Sequence, residues 1–420
     1  MKEIFPGRCK ERVVIRVPGS KSHTHRALIA AALSDGPCAL TGALHSADTH
    51  LTRRALVQLG VKIEETGGGL VVRGTSGVLG PCRSPIYLGN SGTSMRLLTA
   101  VATLARGETI FSGSQRMHQR PIGDLVDGLN RIGARVSAAG GGAFPPVRVA
   151  DRRPEGGRVA IDCSVSSQFL SALLLIGPYT GRGLDMTVSG GPVSRPYIDM
   201  TVRIMERFGV GVERQGYRRF RVPGGRIYTG GSHAVEPDAS QAGYFWAAAA
   251  LTGVRVAVDG ILEGSLQGDA QFPDLLARMG CTVVRSSQRT AVIGGPLSGI
   301  HADMGDMPDL VPTLAVVAAF AEGETVISNV AHLREKESDR LAAVSAELGR
   351  MGVFAVETDD GLRVRGGGAH GARIQTYDDH RIAMSFALAG LRVTGVRIEN
   401  EQCVEKSFPD FWSVFEQLYE

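Results

Sequence analysis

The chain has 420 residues, 43% hydrophobic and 21% charged, with 46 Lys+Arg against 42 Asp+Glu for a formal net charge of +4. That length exceeds one ordinary core and sets an expectation of two domains of roughly 200 residues each, while the mild charge excludes a polycationic nucleic-acid coat and the composition excludes a disordered chain. Six cysteines (Cys9, Cys38, Cys82, Cys163, Cys281, Cys403) stand without a CxxC pair, against a zinc site or a disulfide framework, and no run reaches the ~18 apolar residues of a membrane span or resembles a signal peptide. A reducing, cytoplasmic setting is therefore expected.

In chain order, ERVVIRV reads as a strand, SHTHRALIAAALSDG as a helix apolar nearly all round, CALTGAL as a strand, and LVQLG followed by VKIEE as a more polar helix closing on Gly before another strand. The same succession returns in GTSMRLLTAVATLARG, ETIFSGS and LNRIGARVSA, then in SSQFLSALLLIGPYTG, LDMTVSGG and MERFGVGVER. It returns again in DASQAGYFWAAAALTG, VRVAVDGI and LARMGCTVVR, in MPDLVPTLAVVAAFAEG, ETVISNVA and LGRMGVFAVE, and finally in DDHRIAMSFALAGLRVTG and VRIENEQCV. Helices apolar all round are buried, β-branched runs favour strands, and Gly at a helix end supplies a left-handed cap. The glycines closing the apolar helices, Gly36, Gly107, Gly181, Gly253, Gly323 and Gly395, are spaced by 71, 74, 72, 70 and 72 residues, a sixfold repeat that uses up the chain. The last outer helix, FPDFWSVFEQLYE, has no strand after it, so ERVVIRV is expected to supply that strand and close the array. The division that follows is residues 1–18 plus 236–420 as one α/β domain of three units and residues 19–235 as the other, with hinges at Pro18-Gly19 and between Arg219 and Pro237 and a ligand cleft between the domains.

Residues that interrupt a repeat at its helix starts are the informative ones. The first three apolar helices open with Pro18-Gly19-Ser20-Lys21-Ser22, Gly89-Asn90-Ser91-Gly92-Thr93 and Ser166-Ser167-Gln168. Such residues are either plain N-caps or seats for an anion at free backbone N–H groups. Lys21 in a first turn opposes the helix dipole, a conflict that an anionic ligand would resolve. No Walker loop is present, since no glycine stands five residues before a Gly-Lys-Ser/Thr triplet. Basic residues recur at other helix starts, in Arg120-Pro121, Arg195-Pro196-Tyr197, Lys336-Glu337-Ser338-Asp339-Arg340, Asp379-His380-Arg381 and Glu405-Lys406, and several converging on one cleft would hold a small polyanion. Asp309 and Glu337 are either a helix-terminus charge and an i,i+3 partner of Arg340, or a proton-transfer pair; spacing leaves both standing. Histidine and cysteine spacing gives neither a metal site nor an activated nucleophile.

Taken together, PGSKSHTHRALIAAALSDG, LGNSGTSMRLL, RPIGDLVDGL, SSQFLSALLL, SRPYIDMT, LREKESDRL, DDHRIAM and CVEKSFPDF resemble, in order and over nearly the whole chain, the signature blocks of the 3-phosphoshikimate 1-carboxyvinyltransferase (EPSP synthase) family. The resemblance implies an enolpyruvyl transferase-like fold of two domains, each of three βαβαββ-like units. It implies transfer of the enolpyruvyl group of phosphoenolpyruvate to the 5-hydroxyl of shikimate 3-phosphate in aromatic amino acid biosynthesis. A cytoplasmic monomer without cofactor or metal is the expectation for the chain. Matched motif by motif, Lys21, Asn90, Gly92, Arg120, Gln168, Arg340, Arg381 and Lys406 would hold phosphoenolpyruvate. Lys21, Ser22, Arg26, Ser166, Ser167, Gln168, Ser194, Tyr197, Asp309 and Lys336 would hold shikimate 3-phosphate, with Asp309 as general base, Glu337 as the acid and base at the methylene carbon, and Lys21 assisting. Two positions depart from the family pattern: His332 stands where some members have asparagine, and Leu97 where glyphosate-sensitive members often have proline. Gly92 is retained, which implies that glyphosate binds. The related transferases acting on UDP-N-acetylglucosamine carry a cysteine in the loop that here reads GSQRMHQR, Gly113 to Arg120, without one. A non-catalytic phosphometabolite-binding protein is the other alternative, and the retention of Lys21, Asp309, Glu337 and Lys406 together speaks against it.

Overall fold

The computed structural model describes residues 1–139 and 141–420, divided into two compact units, Met1–Pro18 with Glu236–Glu420, and Gly19–Val235. Buried and outer helices alternate along the chain. They run α1 (Lys21–Leu33) then α2 (Ala47–Gln58), α3 (Gly92–Ala102) then α4 (Gly123–Arg131), and α5 (Gln168–Ile176) then α6 (Pro196–Arg207). In the second half they run α7 (Ala239–Thr252) then α8 (Phe272–Arg278), α9 (Val311–Ala318) then α10 (Arg340–Arg350), and α11 (His380–Ala387) then α12 (Phe411–Phe415). The expectation of helices apolar all round holds: α1 buries every residue but Ser22, and α7 every residue but Thr252. Each unit has its own core, built in one around Phe111, Phe169, Leu170 and Met205 and in the other around Trp246, Leu314 and Phe386.

One sheet accompanies each repeat. In Gly19–Val235, the strand after each buried helix (Pro37–Thr41, Thr109–Ser112, Leu184–Gly190) has a parallel edge partner (Gly231–Ala234, Ile86–Tyr87, Gly157–Asp162) and, on its other side, an antiparallel hairpin. The other unit repeats this in two four-stranded sheets, and its third sheet has three strands, Lys2–Ile4, Val396–Ile398 and Arg373–Ile374. The βαβαββ-like unit read from the sequence is therefore the one present.

Two sequence expectations are corrected. The strand that completes the sixth sheet is Lys2–Ile4, antiparallel to Val396–Ile398, and not ERVVIRV. The ERVVIRV segment forms Arg12–Ile15, which runs parallel to Arg255–Asp259 after α7, with Val13 and Ile15 buried and Val14 exposed. Reciprocally, Gly231–Ala234, which precedes α7, pairs with the strand after α1. In the four other repeats the strand before a buried helix pairs with the strand after it; the first and fourth repeats have exchanged edge strands. An exchange between equivalent positions leaves the period untouched, so spacing cannot reveal it. The second correction concerns caps: only α7 ends on its glycine, the left-handed Gly253, whereas Gly107, Gly323 and Gly395 have positive φ but lie beyond the caps Thr103, Ala319 and Leu388, Gly36 and Gly181 are not left-handed, and α1 ends on an extended Ser34. All five glycines after the outer helices, Gly60, Gly133, Gly209, Gly280 and Gly352, do have positive φ.

Candidate active site

In the Gly19–Val235 unit the expected residues gather at the N-terminal ends of α1, α3 and α5. Ser20 and Ser91 are true N-caps, their hydroxyls accepting from the His23 and Ser94 amides at 3.4 Å, so the plain reading holds for these two. Ser167 makes no such cap; its hydroxyl donates to the Ser194 carbonyl at 3.5 Å, and Ser194 is held at a φ of 54°. The amide of Gln168 donates to Ser166 Oγ at 3.3 Å. The Gln168 side chain is fixed at both ends from α3: Nε2 donates to Thr93 Oγ1 at 3.0 Å, and Oε1 accepts from Arg96 Nη1 at 2.9 Å. Arg120 is buried, its Nη1 donating to the Asn90 carbonyl at 2.9 Å and to Asn90 Oδ1 at 3.2 Å. A Cβ on Gly92 would lie 2.5 Å from Arg120 Nη2, so glycine there admits the guanidinium.

Lys21 and Arg26 show two ways of keeping a cation inside a protein. Lys21 Nζ lies 3.3 Å from Asp48 Oδ2, in the first turn of α2, with both side chains buried; the clash with the α1 dipole is thus met from within the chain. Arg26 is 1% exposed. Among the described residues it donates only to neutral oxygens, Thr201 Oγ1 at 2.7 Å, the Ser22 carbonyl at 2.9 Å and Ser171 Oγ at 3.4 Å, and its guanidinium lies 6.0 Å from the Tyr197 ring. Burial lowers its pKa to about 10, which leaves it charged at neutral pH. A buried, charged guanidinium partnered by neutral groups carries a desolvation cost that a nearby anion offsets. A line of buried hydrogen bonds, His25 Nδ1 to Thr52 Oγ1 (2.8 Å) and Thr52 Oγ1 to Ser94 Oγ (2.7 Å), ties α1 through α2 to α3.

In the unit formed by Met1–Pro18 and Glu236–Glu420, three carboxylates meet around one arginine. Arg340, at the start of α10, donates from Nη1 to Asp309 (2.8 Å), from Nη2 to Glu337 (2.9 Å) and from Nε to Asp379 (2.8 Å). Its burial works against the charge, but Asp379, Glu337 and Asp309 outweigh that and raise its pKa further. Arg381, at the start of α11, donates to the other Asp309 oxygen at 2.7 Å and to Ser240 Oγ at 3.1 Å. Lys406 Nζ is 3.9 Å from Glu337 Oε1. Asp379 is fully buried and caps α11, accepting from the Arg381 amide at 2.9 Å. Lys336 closes the 3₁₀ turn Ala331–Glu335. His332, in that turn, has its pKa pushed down to about 3, first by burial and then by Lys336, so it is a neutral imidazole. The i,i+3 pair of Glu337 with Arg340 is present, and so is its convergence with Asp309 on the same guanidinium.

The chemistry on offer in each unit is thus a set of cations, joined in the second by a preformed carboxylate pair. The model of the family described as EPSP synthase (3-phosphoshikimate 1-carboxyvinyltransferase) matches residues 8–415. The chain belongs to the EPSP synthase family. It is 45% identical over 405 residues to the 3-phosphoshikimate 1-carboxyvinyltransferase of Methanoculleus marisnigri, covering 96% of this chain and 95% of that protein. It is 46% identical over 407 residues to that of Syntrophobacter fumaroxidans, covering 96% of each. The solved EPSP synthase of Acinetobacter baumannii superposes with a TM-score of 0.81 at 30% identity, over 99% of this chain and 98% of that one. Within this family chain, sequence reasoning had missed Asp48, Arg96 and Thr201 as partners of the expected residues. It had seen Asp379 only as a member of the Asp379-His380-Arg381 run. Leu97 is buried in α3.

Proposed function

We propose that this chain transfers the enolpyruvyl group of phosphoenolpyruvate to the 5-hydroxyl of shikimate 3-phosphate, giving 5-enolpyruvylshikimate 3-phosphate and inorganic phosphate. The observation that carries the reading is the joint hold of Arg340 on Asp309 and Glu337, at 2.8 and 2.9 Å, in a chain of this family. Asp309 takes the proton of the 5-hydroxyl. Glu337 gives a proton to the methylene carbon of phosphoenolpyruvate, which makes the adjacent carbon electrophilic, and the deprotonated oxygen adds there to form a tetrahedral intermediate. Glu337, protonated at the outset, then takes that proton back from the methyl group as the carbon–oxygen bond to phosphate breaks and the double bond is restored, and Asp309 passes its proton to the departing phosphate, so both groups return to their starting states.

Phosphoenolpyruvate is assigned to Lys21, Asn90, Gly92, Arg120, Gln168, Arg340, Arg381 and Lys406, and shikimate 3-phosphate to Lys21, Ser22, Arg26, Ser166, Ser167, Gln168, Ser194, Tyr197, Asp309 and Lys336. Cationic groups stabilise the departing phosphate, with Lys21 prominent among them. Before substrate arrives, Arg340 and Arg381 are occupied by Asp309. An incoming anion competes for those guanidiniums and frees the Asp309 carboxylate, so the base gains strength when the substrate is in place. The reading requires both clusters to act on one bound pair of substrates. We take the chain to act as a cytoplasmic monomer without cofactor or metal; sedimentation and activity after chelation test the last two points. The deciding experiment is phosphate release by the purified protein, with each substrate omitted in turn. Release that needs both supports the transfer; release with UDP-N-acetylglucosamine as acceptor, or none at all, overturns it.

A further inference from the structure

The loop that leads into α11 takes a costly path. Tyr377 and Asp378 are consecutive non-glycine residues with φ of 55°, in the left-handed region that side chains other than glycine avoid. Something must hold them there. Glu347, fully buried on α10 two turns beyond Arg340, accepts from the Tyr377 hydroxyl at 2.7 Å and from the Gln375 amide at 3.0 Å. At the other end of the same loop, Asp379 accepts from Arg340 Nε and from the Arg381 amide, at 2.8 and 2.9 Å. The segment Gln375–Asp379 is therefore clamped twice to one helix: at Glu347 by a carboxylate that touches no candidate substrate ligand, and at Asp379 by the carboxylate that orients two of them.

We propose that Glu347 is a positioning residue for Arg340 and Arg381: its bonds to Tyr377 and Gln375 hold the loop in the one conformation that sets Asp379 against Arg340 and starts α11 at Arg381. The proposal rests on the reading of these arginines as phosphoenolpyruvate ligands. Without the clamp the loop relaxes toward ordinary backbone angles, Asp379 withdraws, and both guanidiniums lose their fixed direction.

Three variants test it: Tyr377→Phe removes one donor, Glu347→Gln keeps a single acceptor oxygen, and Val258→Ala trims a fully buried core side chain elsewhere in the same unit. Each is measured for Tm, for the KM of each substrate and for hydrogen exchange at the Arg381 amide. Expected is a five-fold or greater rise in KM for phosphoenolpyruvate in Y377F and E347Q, KM for shikimate 3-phosphate within two-fold of the parent, and faster exchange at Arg381. V258A should lower Tm with neither change. Equal rises in both KM values, unchanged exchange at Arg381, or the same pattern in V258A would overturn the proposal. If the unmodified protein released no phosphate, the functional reading would fail separately, and the exchange data would still decide whether Glu347 holds the start of α11.

Discussion

Gly92 shows how far one residue's role can be read from a sequence. Its smallness was legible as room for a ligand, but the atom it first makes room for is Arg120 Nη2, 2.5 Å from where a Cβ would stand. Nothing in the motif says which long side chain folds back over it. Gly92→Ala must therefore push Arg120, which is buried and bonded to Asn90 through both the carbonyl and Oδ1. We expect the KM for phosphoenolpyruvate to rise about tenfold, equivalent to ~1.4 kcal/mol, with the KM for shikimate 3-phosphate little changed. Steady-state kinetics with each substrate varied would check this, and an unchanged KM for phosphoenolpyruvate would show that Arg120 is not a ligand. Lys21, by contrast, was conspicuous because a cation in a first turn is out of place. Its partner Asp48 was invisible for the complementary reason, since an acid in a first turn is where the dipole favours one. Partners such as Arg96 for Gln168 and Thr201 for Arg26 lie on other helices, and a single sequence carries no signal that joins them.

At the scale of elements, buried and outer helices, the strands between them and their turning points were legible, because each has its own chemistry: apolar faces, β-branched runs and glycine stops. Where a glycine is mandatory was only partly legible, since the rule was read onto Gly36 and Gly181 as well. Local geometry decides. Gly280 after α8 has a φ of 118°, and a Cβ there would sit 2.1 Å from the Pro296 carbonyl oxygen, whereas Gly349, exposed near the end of α10, has nothing within 4 Å of its missing Cβ. In Gly280→Ala both the backbone angle and a fixed carbonyl oppose the methyl, so a loss of about 2 kcal/mol or more is expected. Gly349→Ala replaces a poor helix former by the best one at an open position and should gain roughly 0.5 kcal/mol. Denaturant midpoints that moved in opposite directions would support this account; equal shifts would refute it.

The whole molecule raises two questions that no single element answers: how its stability responds to acid, and which lengths of chain can fold. Each unit buries a neutral histidine, His23 with its pKa pushed down to about 4 by burial and then by Arg207 and Arg26, and His332 pushed down to about 3 by burial and then by Lys336. In the unfolded chain both titrate near the ordinary 6.5. As pH falls below 6.5 the unfolded state takes up protons that the folded state refuses, so stability drops by about 1.4 kcal/mol per pH unit per histidine until the folded pKa is reached. Thermal unfolding at pH 7, 6, 5 and 4 should show this loss, and His332→Asn should flatten it for one unit only. Chain length is governed by the strand exchange, the feature least legible in the sequence because it conserves the period. Residues 19–235 hold their own core and three complete sheets, so this fragment should unfold cooperatively on its own. Residues 236–420 lack Arg12–Ile15 and Lys2–Ile4, and with them the buried side chains of Ile4, Val13 and Ile15. Three such side chains contribute roughly 5–9 kcal/mol, comparable with the 5–15 kcal/mol of a whole domain, and the strand Arg255–Asp259 is left as an open edge. The 236–420 fragment should therefore be unfolded or aggregated alone and should recover a cooperative transition when residues 1–18 are added as a peptide. A sharp melt of 236–420 unchanged by that peptide would mean that the exchanged strand is dispensable, and that the boundary between the units is set by the cores alone.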